Sequence, residues 1–313
     1  MIPALVLAAG VATRLRPLSF VRAKAALPVA GQPLVCRILS RLSASGVTDV
    51  VVNLHHLPHT ITTLLGDGSD AGMRVRYSWE MPVLGSAGGP RRALPLLGSS
   101  TFLIVNGDTL NDVDIGALVD RHRRYGAMVT IATMPNREPE KYSGIVADSD
   151  GVMTGLAKRG SLLASHHFVG VQVVESEAFS SVPDGVAYES VATLYPALIA
   201  SRPGSVRVVD CADEFLDLGT ADDYLRTSLL LRAREPSSLH GARARIHATA
   251  RVQDSVLWDD VDVGQGSSLK ECVVTDGVRV PADTSWVGVT IRNATGERAP
   301  GERAIDDLAI CSL

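Results

Sequence analysis

The chain has 313 residues, 46% of them apolar, with 30 basic against 34 acidic side chains and a formal charge of −4. At about 150 residues per domain that length allows two domains and a sizeable core, and the apolar content excludes a disordered or collagen-like chain. A balance so near neutral argues against a nucleic-acid or anionic-membrane partner, each of which needs a strong basic surplus; a small or phosphorylated ligand stays open.

The first apolar run, Ile2 to Gly10, is followed by Arg14 and Arg16. Cations after the run are the reverse of a secretory leader, and no run approaches the ~20 apolar residues of a spanning helix, so a cytoplasmic protein is expected. Within that run Ala4 to Leu7 reads as a strand, as do Val50 to Val52, Val75 to Tyr77, Phe102 to Val105 and Val129 to Ala132. Each is short, rich in β-branched types and bounded by Gly, Asp, Asn or Pro. Helices are predicted between them at Pro33 to Ser45 and Asp114 to Tyr125; in the second, Ile115, Leu118, Val119 and His122 fall on one face and Gly126 supplies a stop. This alternation is the pattern of βαβ units: an α/β, Rossmann-like mixed, mostly parallel sheet with helices on both faces and ligands beyond the carboxyl ends of its strands.

From Tyr142 to Val209 the pattern is patchier, with strand-like runs at Ile145 to Ala147 and Phe168 to Val174 and an apolar helix near Val191 to Ala200; it reads as an elaboration of the same domain. Asp222 to Arg234 is predicted as a closing helix, and Glu235 to Ser238 as a linker. Beyond it Val252, Val263, Leu269, Val280 and Trp286 recur at alternating steps of 11 and 6. A hexad beat suits a short parallel β-helix, whose rungs bury their inward residues by stacking; a small antiparallel pair of strands is the alternative. The four cysteines are far apart and form no CxxC, which predicts reduced thiols.

Three places carry possible chemistry. Leu7-Ala8-Ala9-Gly10 ends the first strand in small residues that let a ligand approach the backbone, with Arg14 and Lys24 just beyond to neutralise phosphate; neither a Walker loop nor a dinucleotide fingerprint fits. Asp108, after Asn106-Gly107, closes a strand in the position a magnesium ligand would take, and Asp217 in Leu216-Asp217-Leu218-Gly219 is a second such acid. Either Asp alone reads equally as a turn or cap residue. His55, His56 and His59 lie close in sequence, but the adjacent pair would point to opposite sides of a strand end, so no metal site is expected there. Arg121 to Arg124 reads as a solvated charge run.

Together the motifs resemble the sugar-1-phosphate nucleotidylyltransferases. The match is carried by Leu7 to Gly10, Thr13, Arg14, Leu15, Pro17, Lys24, Leu27 to Val29, Leu84 to Gly88, Asn106 to Asp108, Tyr142 to Val146 and Asp217 to Thr220. It runs from about Ile2 to Arg234, giving a catalytic domain over 1–234, and the remainder, 235–313, resembles the linker and left-handed β-helix many members append. The resemblance implies Mg²⁺-dependent transfer of a nucleotidyl group from an NTP to a sugar-1-phosphate. GTP with mannose-1-phosphate is the leading pair, and uridylyl or thymidylyl transfer to glucose-1-phosphate or an N-acetylamino-sugar-1-phosphate is the alternative. Arg14 and Lys24 would hold the phosphates, Asp108 and Asp217 the Mg²⁺, and Leu7, Ala8, Ala9, Gly10, Gly85 and Asn106 the nucleotide. Gly144, Lys158 and Glu189 would meet the sugar phosphate, with Glu189 readable also as a helix-start carboxylate. The tail implies a homo-oligomer. Ala12 and Ala23 stand where the family has glycine and proline, and Ala157 where an acid precedes the lysine. A regulator that binds a nucleotide sugar without turnover therefore stays a competing class.

Overall fold

In the computed structural model, which describes residues 2–235 and 238–313, the chain divides into two compact units. Unit 1 comprises Met1–Gly10, Ile38–Pro58 and Thr62–Leu216; unit 2 comprises Val11–Arg37, His59–Ile61 and Asp217–Leu313. Val11–Arg37 thus groups with the C-terminal segment rather than with a block running to residue 234. Pro236 and Ser237 of the expected linker lie outside the described residues.

Unit 1 is built on a nine-stranded mixed sheet. Strand Ala4–Leu7 lies between Asp49–Leu54 and Thr101–Asn106, parallel to both, and Arg74–Trp79 forms the parallel edge beyond. Ala4, Leu5 and Val6 are wholly buried, the unbroken apolar run expected of a strand covered on both faces. Leu5 pairs in register with Val51 and Ile104, and this row packs against Ala87, Ala93 and Leu97 of helix Gly85–Leu97. The other half of the sheet is mixed: His166–Glu175 runs antiparallel to Thr101–Asn106 and Val129–Pro135, Gly144–Ala147 antiparallel to Met153–Ala157, and Val206–Asp210 parallel to Val129–Pro135.

Most of the expected elements are found within a residue or two of their predicted bounds. Helix Ile115–Tyr125 has Asp114 as its cap, accepting from Ala117 N at 2.9 Å, and Gly126 at φ 56° as its stop. The Arg121 to Arg124 run needs one correction. His122 is buried, its ring nitrogens 2.8 Å from Thr130 Oγ1 and 3.1 Å from Glu175 Oε1, because it continues the apolar face while the arginines face water. The apolar segment from Val191 opens as a π-helix, Ser190–Leu194, before the α-helix Tyr195–Ser201. The histidines are not in a strand: Asp49–Leu54 ends before His55, and His59 lies in the first turn of helix Pro58–Leu65, which Pro58 opens. Among the described residues no helix is long and apolar enough to cross a membrane.

In unit 2 the tail is a left-handed parallel β-helix with 17 residues per coil, so the antiparallel alternative is excluded for its coils. Val252, Leu269 and Trp286 stack in register on one face, Val263 and Val280 on a second, Val256, Val273 and Thr290 on the third. The 11-and-6 beat is the walk between the first two faces. Left-handed residues turn the corners at matching positions, Arg243, Asp260 and Gly277 at one and Asp254, Glu271 and Gly288 at another. The last coil is closed by an antiparallel hairpin, Arg303–Ile305 with Leu308–Ser312, laid on Val289–Asn293, which covers the edge a stack of strands would otherwise leave open.

Candidate functional site

Strand Ala4–Leu7 ends beside two polar side chains that local patterning does not reveal. Asn53 Oδ1 accepts from Ala8 N at 2.6 Å and Ala9 N at 3.2 Å, while Asn53 Nδ2 donates to Glu80 Oε1 at 2.7 Å. Glu80 Oε2 in turn takes Leu84 N at 2.7 Å, so one buried network fixes both the Leu7 to Gly10 turn and the start of helix Gly85–Leu97. The amides of Ala8 and Ala9 are thus both donated to Asn53 in this structure. Gly10 is the exposed member, and a Cβ built there would meet nothing within 4 Å. Glycine at that point is therefore no packing requirement, and the open space in front of it suits a close ligand.

Gly85 and Gly107 are glycines for structural reasons. Gly85 has φ +74°, and a Cβ would sit 2.7 Å from Glu189 Oε1. At Gly107 a Cβ would lie 2.6 Å from Leu7 O, the acceptor of the Gly107 N–H at 2.9 Å. That close approach sets the turn that presents Asp108 after strand Thr101–Asn106.

A cavity of about 510 Å³ opens in unit 1 and brings together Leu7, Asn106, Gly144, Lys158 and Glu189 from the expected set. Gly144 begins strand Gly144–Ala147 and is packed so tightly that a Cβ would meet Ser165 Oγ at 2.1 Å. Lys158 follows strand Met153–Ala157. Glu189 precedes the π-helix and also lines the cavity, its Oε2 taking the Ser86 hydroxyl at 2.6 Å. One wall is aromatic, with Tyr142 and His167 ring centroids 4.3 Å apart; Phe215, outside the lining, packs 4.5 Å from His167. Gln172 at the floor accepts from Tyr195, whose phenol pKa burial pushes up, so that donor stays neutral. One cation, one carboxylate, hydroxyl-bearing serines and an aromatic face are the groups that recognise a polyhydroxylated ring with a single anionic substituent.

Arg14, Lys24 and Asp217 belong to unit 2. Arg14 is exposed in the turn Thr13–Leu15, Lys24 begins the turn Lys24–Ala26, and Asp217 ends strand Phe215–Asp217. No group of three or more His, Cys, Asp or Glu among the described residues could hold a metal by itself. Magnesium that bridges substrate phosphates takes one or two carboxylates and keeps waters rather than needing a protein cage; Asp108 stands on the turn pinned by the Gly107–Leu7 backbone bond.

Comparison with known proteins agrees with this architecture. The model of the nucleotidyl transferase family matches residues 3–234, and that of the GlmU-like C-terminal hexapeptide matches 229–296. A mannose-1-phosphate guanylyltransferase of Mycobacterium tuberculosis is 31% identical over 293 residues, 90% of this chain and 82% of the relative. An N-acetylmuramate alpha-1-phosphate uridylyltransferase of Neisseria meningitidis is 35% identical over 246 residues, 76% of this chain and 98% of the relative. Among solved structures, HddC from Yersinia pseudotuberculosis complexed with GMP-PN superposes with a TM-score of 0.64 at 19% identity, covering 74% of this chain and all of that one, a likeness of fold.

Proposed function

Because the chain belongs to the nucleotidyl transferase family and is a sugar-1-phosphate nucleotidyltransferase, we propose that its substrates are GTP and mannose-1-phosphate and its products GDP-mannose and pyrophosphate. The observation that supports the choice is the guanylyltransferase relative's 31% identity sustained over 90% of the chain. A second reading, uridylyl transfer to an N-acetylmuramate-like phosphate, is favoured by the higher identity of the uridylyltransferase relative over its shorter match.

In the transfer, an oxygen of the sugar phosphate attacks the α-phosphorus and the bond to the β-phosphate oxygen breaks, releasing pyrophosphate. The obstacle is charge, since an anion approaches a triphosphate and negative charge spreads in the transition state. Arg14 and Lys24 keep the phosphate-binding roles their motifs imply, and Asp108 and Asp217 the role of Mg²⁺ ligands; sequence motifs support these four assignments. Mg²⁺, when bound, neutralises phosphate charge. Lys158 and Glu189 serve the sugar phosphate, Lys158 toward its anionic end and Glu189 as acceptor for a hydroxyl. We also propose that the tail joins copies of the chain into a homo-oligomer.

Pyrophosphate release from each of four NTPs with mannose-, glucose-, N-acetylglucosamine- and N-acetylmuramate-1-phosphate tests the substrate choice. GTP with mannose-1-phosphate is expected to give the highest kcat/KM. A higher value for UTP with the N-acetylmuramate phosphate would transfer the assignment to the second reading.

A further inference from the structure

Within unit 2, successive coils of the tail place two acids at one corner. Asp259 and Asp276 are 17 residues apart, and each carboxylate caps an amide of the preceding coil, Asp259 Oδ1 taking Ala242 N at 2.7 Å and Asp276 Oδ1 taking Asp259 N at 3.1 Å. Adjacent strands lie about 4.8 Å apart, so stacking like charges in register is unfavourable unless a cation answers both. Two neighbouring acids are answered from within the tail: Arg243 pairs with Asp260 at 2.6 Å and Arg245 with Asp262 at 3.2 Å. At the Asp259 and Asp276 corner the cation comes from the other end of the chain.

That cation is Arg22. Its guanidinium makes a two-pronged contact with Asp276, Nε to Oδ2 at 2.8 Å and Nη2 to Oδ1 at 2.6 Å, and Nη2 also reaches Asp259 Oδ2 at 2.7 Å. It lies 5.4 Å from the ring centre of Trp258, which is fully buried and donates from Nε1 to Tyr224 OH at 2.9 Å. Burial pulls the Arg22 pKa down, and the hydrogen bonds and charges of Asp276 and then Asp259 outweigh it, leaving it above the ordinary arginine value. The Arg22 side chain is 14% exposed, so removing its acids leaves a poorly solvated cation behind. A second anchor grips the same segment. Phe20 lies between two guanidinium groups, Arg16 at 4.9 Å and Arg292 at 5.2 Å, and Arg292 is fixed by a buried pair with Glu302 at 2.7 Å.

We propose that the β-helix is a brace for the phosphate-binding segment, and that Arg22 is the positioning residue that docks residues 13–28 on it through Asp259 and Asp276. The proposal rests on the transfer reading for the roles of Arg14 and Lys24. Each of these is two residues from an anchored neighbour, Arg14 from Arg16 and Lys24 from Arg22. Both sit in short turns of the docked segment, Thr13–Leu15 and Lys24–Ala26, so a shift of that segment moves them with it. Arg22 touches no substrate in this scheme and acts through Lys24.

Hydrogen exchange and steady-state kinetics on the full chain test this with Arg22→Ala, Arg22→Lys and Asp276→Asn. In Arg22→Ala the amides of 13–28 are expected to exchange at least tenfold faster while those of Asp49–Leu54 keep the wild-type rate. The kcat should fall about a hundredfold, the loss that follows a small misplacement of a positioned group, with KM for the sugar phosphate within twofold. Arg22→Lys should recover part of kcat, because it keeps the charge and loses the fork. Asp276→Asn reproduces the effect from the tail side and serves if Arg22→Ala does not fold. Wild-type exchange over 13–28 in both Arg22→Ala and Asp276→Asn, or an unchanged kcat, overturns the brace. A wild-type chain that releases no pyrophosphate with any pair overturns the transfer reading instead, and the exchange result then decides the docking of the segment by itself.

Discussion

Ala12 occupies the left-handed region, φ 50° and ψ 49°, where a Cβ crowds the following carbonyl. The turn is retained because its carbonyl is used twice, by Leu15 N at 3.0 Å and by the Ser19 hydroxyl at 3.0 Å. Ala12→Gly removes the crowding at a modest entropic cost; it is expected to raise unfolding free energy by about 1 kcal/mol in urea titration, and an unchanged midpoint would show that the turn is unstrained. Ala23 is a different case. Its φ −56° and ψ 146° would accept a proline, but its N–H donates to Thr60 Oγ1 at 3.2 Å, a bond a proline would lose. The two departures from the family pattern thus have separate physical readings, one a local strain and the other a retained hydrogen bond. Motif residues such as Gly85 and Gly107 were legible because close backbone approach leaves a glycine in the chain. Asn53 and Glu80 were not, since their pairing spans 27 positions and each alone reads as a polar residue at a strand end.

At the level of elements, legibility followed the presence of local punctuation. Helix Ile115–Tyr125 shows its cap, its apolar face and its stop within thirteen positions. Asp114→Ala is expected to cost about 1 kcal/mol of stability, read as a lower denaturation midpoint; no change would mean that Ala117 N finds water as readily. Helix Gly85–Leu97 is the counter-example: Gly85, Gly88, Gly89, Pro90 and Pro95 all argue against it locally. It forms because those small residues let it press against neighbours that any side chain would strike. A Cβ on Gly88 would lie 2.5 Å from Val186 O, and one on Gly89 2.4 Å from Glu80 Oε1. Tertiary contact overrides propensity here, and no window of sequence contains that contact. The β-helix was legible for the opposite reason, because a coil repeated at 17 residues writes its inward positions as a regular beat.

Across the whole molecule, charge balance hides a strongly uneven arrangement. The −4 total says little, while the tail carries ordered acid–arginine ladders and the N-terminal segment supplies the cation its coils lack. Sedimentation of the full chain is expected to give a multiple of 33.1 kDa; a mass of one chain would remove the oligomeric role proposed for the tail. Deleting the tail would be a poor test of that role, because it also removes Asp259, Trp258 and Asp276, on which Arg22 rests.

The composition of unit 2 from both ends of the chain sets an order in time. After Arg37 a ribosome has some 239 positions left before it reaches Asp276, roughly 10–50 s at ordinary elongation rates. Throughout that interval the segment with Arg14 and Lys24 is made but undocked. A chain ended before Asp259 lacks both partners of Arg22 and, on the brace reading, keeps residues 13–28 loose. On that reading, docking of residues 13–28 waits for the coils that carry Asp259 and Asp276.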